Sequence, residues 1–232
     1  MRSIEITESL AQQIESRKRQ IQKRILKWAR TNLRTFSWRH EVSPYRILVA
    51  EVLLKRTTST QVEKSFQKFI EKYPNINTLA RARDTELRKI LTPLGYYKKR
   101  AQIFIEIANY IAKEHHGEIP KTKEELLKIP HIGDYTANAI LSLAYDVPSA
   151  MVDCNIIRIE TRAFLKHLPQ KHSQRTIQKV ADLLSPVKDN QCHNYALLDL
   201  GALVCRSGIP RCKECPIKEF CDYYLLGKPH AE

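Results

Sequence analysis

The sequence predicts an all-α protein. Apolar residues recur at three- and four-residue spacing in successive segments, and a capping residue or a proline or glycine break marks the segment ends. The stretch from Leu126 to Asp153 reads as helix, tight turn, helix and a short extended link ending in a carboxylate. With 232 residues, 43% of them apolar, the chain can bury one large core or two modest ones. A formal net charge of +14 favours a polyanionic partner, because each phosphate neutralised releases counterions. No long uncharged apolar run suits a bilayer, and the start, MRSIEITESL, lacks the charge-then-apolar order of a signal peptide. A soluble intracellular protein with no membrane partner is expected.

In chain order, Leu10, Ile14, Ile21, Ile25 and Trp28 share one face of a first helix between Arg17, Lys18, Arg19, Lys23 and Arg24, a basic face expected to be solvated. A second helix has Ser43 as N-cap and Pro44 at its first position. From Ile47 to Leu54 its only polar residue is Glu51, a carboxylate either buried with a partner or placed for chemistry. Lys55 and Arg56 follow, cations suited to the O6 and N7 edge of guanine or to phosphate. Asn77 to Ile90 reads as one amphipathic helix capped by Asn77, and TPLGYYKKRAQIF breaks at Pro93 and Gly95. Tyr96 there, beside Lys98, Lys99 and Arg100, is an aromatic that can stack on a nucleic-acid base, with the cations meeting phosphates, or can simply start a helix. Ala101 to His115 is a further helix.

Thr122 and Glu125 have capping-box spacing for a short helix carrying Leu126, Leu127 and Ile129, which Pro130 ends. Gly133 gives the turn a permissive backbone, and Asp134 is the expected N-cap of the next helix, with Ala137, Ile140, Leu141 and Ala144 inward. Amides at a helix start bind anions, here a nucleic-acid phosphate. Asp153 either caps the helix beginning at Asn155 or does chemistry. Beyond it come Ile156, Ile157, Ile159 and Phe164, a polar link near Pro169 to Gln174, and an apolar helix from Tyr195 to Val204. Cys205, Cys212, Cys215 and Cys221 then follow the spacing C-x6-C-x2-C-x5-C, which groups four thiolates for a metal or cluster; structural zinc is the alternative on spacing alone. Cys154 and Cys192 have no assigned role.

The run LLKIPHIGDYTANAI followed by MVDCN resembles the helix-hairpin-helix plus aspartate motif of the base-excision DNA glycosylases related to endonuclease III, and the likeness extends over roughly Leu26 to Tyr224. The resemblance implies two lobes sharing a cleft: a helical barrel lobe of residues 43–151, and an iron–sulfur lobe of 1–42 with 152–232. It implies that His131, Gly133 and Tyr135 belong to a hairpin gripping double-stranded DNA beside a flipped-out nucleotide, while Asp153 faces the glycosidic bond. The cysteine setting, LLDLGALVCRSGIPRCKECPIKEFC, is similar to the 4Fe-4S loop of the family and closest to that of the adenine glycosylases. The segment PYRILVAEVLLKRTT looks like the helix that carries a catalytic glutamate, at Glu51, in the adenine and thymine mismatch enzymes. Its KRTT end is similar to the archaeal thymine mismatch form, where adenine enzymes carry a glutamine pair.

Position 135 separates reaction types. Bifunctional relatives have a lysine there, whose amine attacks the sugar; Tyr135 offers none, so the resemblance implies a monofunctional enzyme in which water attacks. The hairpin reads PHIG where the family commonly reads PGVG, which puts its geometry in question at His131. The expectation is a monomeric, cytoplasmic, nucleoid-associated prokaryotic glycosylase removing thymine or uracil opposite guanine. Adenine removal opposite guanine or 8-oxoguanine is the alternative, supported by GYY and weakened by a chain ending at Glu232 with no room for a further domain. A non-catalytic damage-binding module is a third reading, against which both Glu51 and Asp153 speak.

Overall fold

The computed structural model describes residues 6–169 and 173–228, among which every regular element is a helix and none is a strand. The chain runs through α1 (Glu8–Asn32), α2 (Pro44–Leu54), α3 (Ser59–Lys72), α4 (Ile76–Ala80), α5 (Asp84–Leu91) and α6 (Tyr97–Glu114). It continues through α7 (Lys123–Leu126), α8 (Asp134–Ala144), α9 (Cys154–Ala163), α10 (Gln174–Leu184), α11 (Asn190–Leu203) and α12 (Asp222–Leu225). The centre of the expected polar link, 170–172, and the terminal His230, Ala231 and Glu232 lie outside the described residues. Two compact units divide the chain: Met1–Arg34 with Pro148–Glu232, and Thr35–Val147.

The first unit is built on α1. Thr7 opens it by accepting the Leu10 N–H at 3.3 Å, and Leu10, Ile14, Ile21, Ile25 and Ala29 are buried along one stripe. Burying each leucine or isoleucine contributes roughly 1.5–3 kcal/mol. They share a core with Ile156 and Ile159 of α9, Ile177 and Val180 of α10 and Leu200 of α11; Ala29 completes the stripe, and Trp28 is only partly buried beside it. The basic face is not wholly solvated. Arg17 pairs with buried Asp222 at 3.2 Å and Arg24 with Glu219 at 2.5 Å, which ties α1 to the cysteine segment. At Gly201 a Cβ would stand 2.5 Å from the Asn155 Cβ, so only glycine lets α11 approach α9 this closely.

In the second unit Ser43 caps α2 through the Arg46 N–H, with Pro44 in the first turn as its fixed φ favours. Phe36 stacks on Trp38 at 4.6 Å, and Trp38 meets Phe66 of α3 edge-on, which holds the segment before α2 in this unit. The helix expected from Asn77 to Ile90 is two helices. Asn75, not Asn77, caps α4 by accepting the Thr78 N–H at 2.9 Å, and the chain leaves the helix at Arg81 before α5 begins at Asp84. Asn77 lies against Gly117, whose missing Cβ would fall 2.7 Å from its Oδ1. Thr78 completes a capping box with Asn75 by accepting its backbone N–H. α6 begins at Tyr97, a turn earlier than Ala101, and its Arg100, Ile103, Phe104, Ile107 and Ile111 are buried.

Candidate active site and DNA-contacting surface

The hairpin is α7, a turn and α8. Thr122 accepts the Glu125 N–H, and buried Leu126, Ile129 and Ile132 anchor the turn, while Leu127 is largely exposed. Asp134 does not cap α8. Gly133 occupies the N-cap position with no side-chain cap, and the Asp134 carboxylate pairs with Lys123 at 2.9 Å. A helix start closed by no side-chain acceptor suits an external anion. His131 adopts φ +64°, the left-handed region where the related hairpins use glycine. Its Nε2 meets Glu106 of α6 at 2.5 Å, and its carbonyl accepts Lys55 Nζ at 2.9 Å. The hydrogen bond with His131, followed by one from Gln102, holds the Glu106 carboxyl below its ordinary range.

Lys55 ends α2, so the hairpin and the helix carrying Glu51 are tied together. Glu51 is 8% exposed on a helix otherwise buried along Ile47 to Leu53. Desolvation pushes the Lys55 ammonium below the usual lysine range, and the Glu51 charge opposes that shift, which puts the two in electrostatic contact. Tyr135 sits half-buried in the first turn of α8.

Arg56 and Tyr96 are both in left-handed conformations, and the guanidinium lies 5.5 Å from the ring centre. Tyr96 is 53% exposed at the loop tip. Arg100 overturns its expected role: it is 1% exposed and does not reach solvent to meet a phosphate. It donates to the carbonyls of Leu94 (3.3 Å), Gly95 (2.7 Å) and Lys55 (2.6 Å) and to Thr57 Oγ1 (2.8 Å). One buried cation thereby pins the Tyr96 loop to the end of α2.

Asp153 belongs to the other unit. It is the N-cap of α9, its Oδ1 accepting the Asn155 and Ile156 N–H groups at 2.8 and 2.9 Å, a structural role that leaves the chemical one open. Its Oδ2 accepts Asn155 Nδ2 at 2.7 Å, and Asn155 Oδ1 accepts Arg158 Nη2 at 2.8 Å. Arg158 also donates to the carbonyls of Gly201 and Cys205 at 2.8 and 2.6 Å. The carboxylate is thus fixed in orientation, and its support runs to the first cysteine.

Cys205, Cys212, Cys215 and Cys221 line one small cavity with Arg162, Pro210 and Tyr223, and all four are free thiols. Arg162 donates to Cys205 Sγ at 3.3 Å and to the Arg206 carbonyl at 2.8 Å. Burial pushes the Cys215 thiol up to about 12, and its three companions add to that, so a cationic group would have to be present for four thiolates. Among the described residues no group of three or more His, Cys, Asp or Glu side chains is arranged to hold a metal ion. A donor set of four thiols on one cavity is the chemistry that an iron–sulfur cluster takes.

The family model for the HhH-GPD superfamily base excision DNA repair protein matches residues 49–186, more than half of the chain. The chain belongs to the HhH-GPD superfamily. Within it, a thymine-DNA glycosylase of Aeropyrum pernix is 35% identical over 209 residues, covering 88% of this chain and 94% of that relative. An adenine DNA glycosylase of Mycolicibacterium smegmatis is also 35% identical, over 88% of this chain and 70% of its own length. The solved structure of a thermostable thymine-DNA glycosylase superposes with a TM-score of 0.85 at 31% identity, covering 92% of this chain and 99% of that one. The all-α helix-hairpin-helix architecture and DNA N-glycosylase chemistry of this HhH-GPD chain follow from these likenesses.

Asn155, Glu106 and the pinning role of Arg100 were missed from sequence. Arg100 had a signal: it shares the helical phase of the buried Phe104, Ile107 and Ile111.

Proposed function

We propose that this DNA glycosylase hydrolyses the N-glycosidic bond of thymine or uracil opposite guanine, acting as a monofunctional monomer on double-stranded DNA. The observation that carries the reading is Tyr135 in the first turn of α8. No amine stands there to attack the sugar, so water is the nucleophile. Near end-to-end likeness to a thymine-DNA glycosylase supports the choice of base. Breaking the bond builds positive charge on the sugar and negative charge on the base. Asp153, fixed by three donors, stabilises the sugar cation and draws a proton from water. Glu51 orients that water or the O2 edge of the base, since thymine accepts a ring proton poorly. The α8 start takes a phosphate, Arg56 the estranged guanine, and Tyr96 the gap in the stack.

Cys205, Cys212, Cys215 and Cys221 would hold a 4Fe-4S cluster that cross-links the loop and does no bond chemistry. Cys215→Ser should lower iron and acid-labile sulfide in the purified protein, whereas unchanged content would remove the cluster from this reading.

One duplex panel tests the reaction: T:G, U:G, A:G and A opposite 8-oxoguanine, each assayed with and without hot alkali. Base loss from T:G and U:G, with strand breaks only after alkali, is expected. Activity confined to the adenine duplexes would establish the adenine alternative, which the relatives at 35% identity keep specific. Breaks without alkali would overturn the monofunctional assignment.

A further inference from the structure

Two ionisable side chains in the first unit take no part in the proposed reaction. Glu160 on α9 is 2% exposed and His193 on α11 is 1% exposed. Neither carboxyl oxygen of Glu160 and neither ring nitrogen of His193 has a hydrogen-bond partner within the protein. Buried polar atoms almost always have one, because losing water without replacement is costly. Both side chains line the same interior cavity, whose remaining walls are apolar and include Ile21 and Ile25 of α1, Phe164, and Ile217 from between the third and fourth cysteines. The cavity offers water centres about 20 Å³. One water needs roughly 10–15 Å³ and two to four polar partners, whereas a cavity with only apolar walls stays dry.

We propose that Glu160, one enclosed water and His193 form an internal hydrogen-bonded site that joins α9 to α11 beneath the cysteine loop. The chemistry of the two ends is complementary. Burial, reinforced by Asp182, raises the Glu160 carboxyl well above its ordinary value, so it keeps a proton and donates it to the water. Burial lowers His193 to about 4, so its ring is neutral and accepts from the water through one nitrogen. The second water hydrogen returns to the Glu160 carbonyl oxygen. Three of the four polar atoms are then satisfied by a single molecule, and the wall supplied by Ile217 rests on a filled rather than a collapsible space.

A crystal structure that orders water, joined to a double-mutant cycle in thermal unfolding of the full chain, tests the site. The expected result is density for one water within hydrogen-bonding distance of both side chains. Glu160→Leu and His193→Leu should each lower Tm by roughly 4 °C or more, and the double variant by less than the sum, since removing both polar ends leaves none stranded. A dry cavity, a direct Glu160–His193 contact, or losses that simply add would overturn the proposal. Should a leucine variant fail to fold, Glu160→Gln decides the matter. Its amide can still bond the water, so retention of that water supports the site, and its disappearance at an unchanged Tm refutes it.

Discussion

Replacing Arg100 by methionine separates two roles that a basic residue in this loop can have. The guanidinium donates four hydrogen bonds, three to carbonyls of Leu94, Gly95 and Lys55 and one to the Thr57 hydroxyl. A hydrogen bond to a charged group contributes roughly 1.5–3 kcal/mol, but several of these acceptors are only part-buried and would recover water. The net loss should therefore be about 3–5 kcal/mol, which for a chain of this size lowers Tm by roughly 6–20 °C. Binding to a mismatched duplex should weaken as the Tyr96 loop and the end of α2 lose their common anchor. The slope of log affinity against log salt should not change, because no phosphate contact is removed. A phosphate ligand would behave in the opposite way, reducing the slope by about 0.9 and leaving Tm intact. That second pattern would refute the assignment of Arg100 as a pin.

Asn155→Ala should keep the two backbone caps on Asp153 but lose the bond to its Oδ2 and the acceptor of Arg158, slowing single-turnover excision roughly ten- to hundredfold with duplex affinity unchanged. Tyr135→Lys places an amine where the bifunctional relatives have one, and borohydride should then trap a covalent protein–DNA adduct; a variant that binds the duplex and yields no adduct would show that the amine does not reach the sugar. His193 stays neutral in the fold down to about 4, whereas the unfolded form takes up a proton below about 6.5. Its share of stability is therefore intact above pH 6.5 and lost as pH falls toward 4, by about 3 kcal/mol at most. Glu160 has the opposite sign, with stability declining as pH rises above 4.5, so urea unfolding of His193→Leu across this range should abolish the acid-side loss and retain the decline.

Local chemistry made much of the fold legible. Ser43 with Pro44, and Thr122 with Glu125, cap the helices that their spacing announces. What local chemistry could not decide was the choice between equivalent neighbours. Asn75 and Asn77 are both good caps, and in the fold Asn75 caps α4 with Thr78 while the exposed Asn77 lies against Gly117. Asp134 is a better N-cap than Gly133 in isolation, yet Lys123 takes its carboxylate. Charge was read too uniformly as well. Lys98, Lys99 and Arg100 form one basic run, but only position 100 falls in phase with the buried face of α6, and its cation is satisfied by carbonyls instead of phosphates. At the candidate site, one of the two readings of Asp153, an N-cap, is the one visible in the structure, while its dependence on Asn155 and Arg158 is a relation between side chains that spacing alone does not reveal.

The hairpin shows why a departure from a family pattern need not disable it. A non-glycine residue in the left-handed region carries a backbone penalty of about 1 kcal/mol or more, so His131 requires compensation that glycine would not. The structure supplies it from two directions, with Glu106 holding the ring and Lys55 holding the carbonyl. The side chains that compensate are then committed. An ammonium directed at the His131 carbonyl is not also directed at a guanine edge, whereas Arg56 lies over the exposed ring of Tyr96 with its fork of donors at the loop tip. Of the adjacent pair that sequence left equivalent, Lys55 shapes the hairpin, and the proposed guanine contact falls to Arg56.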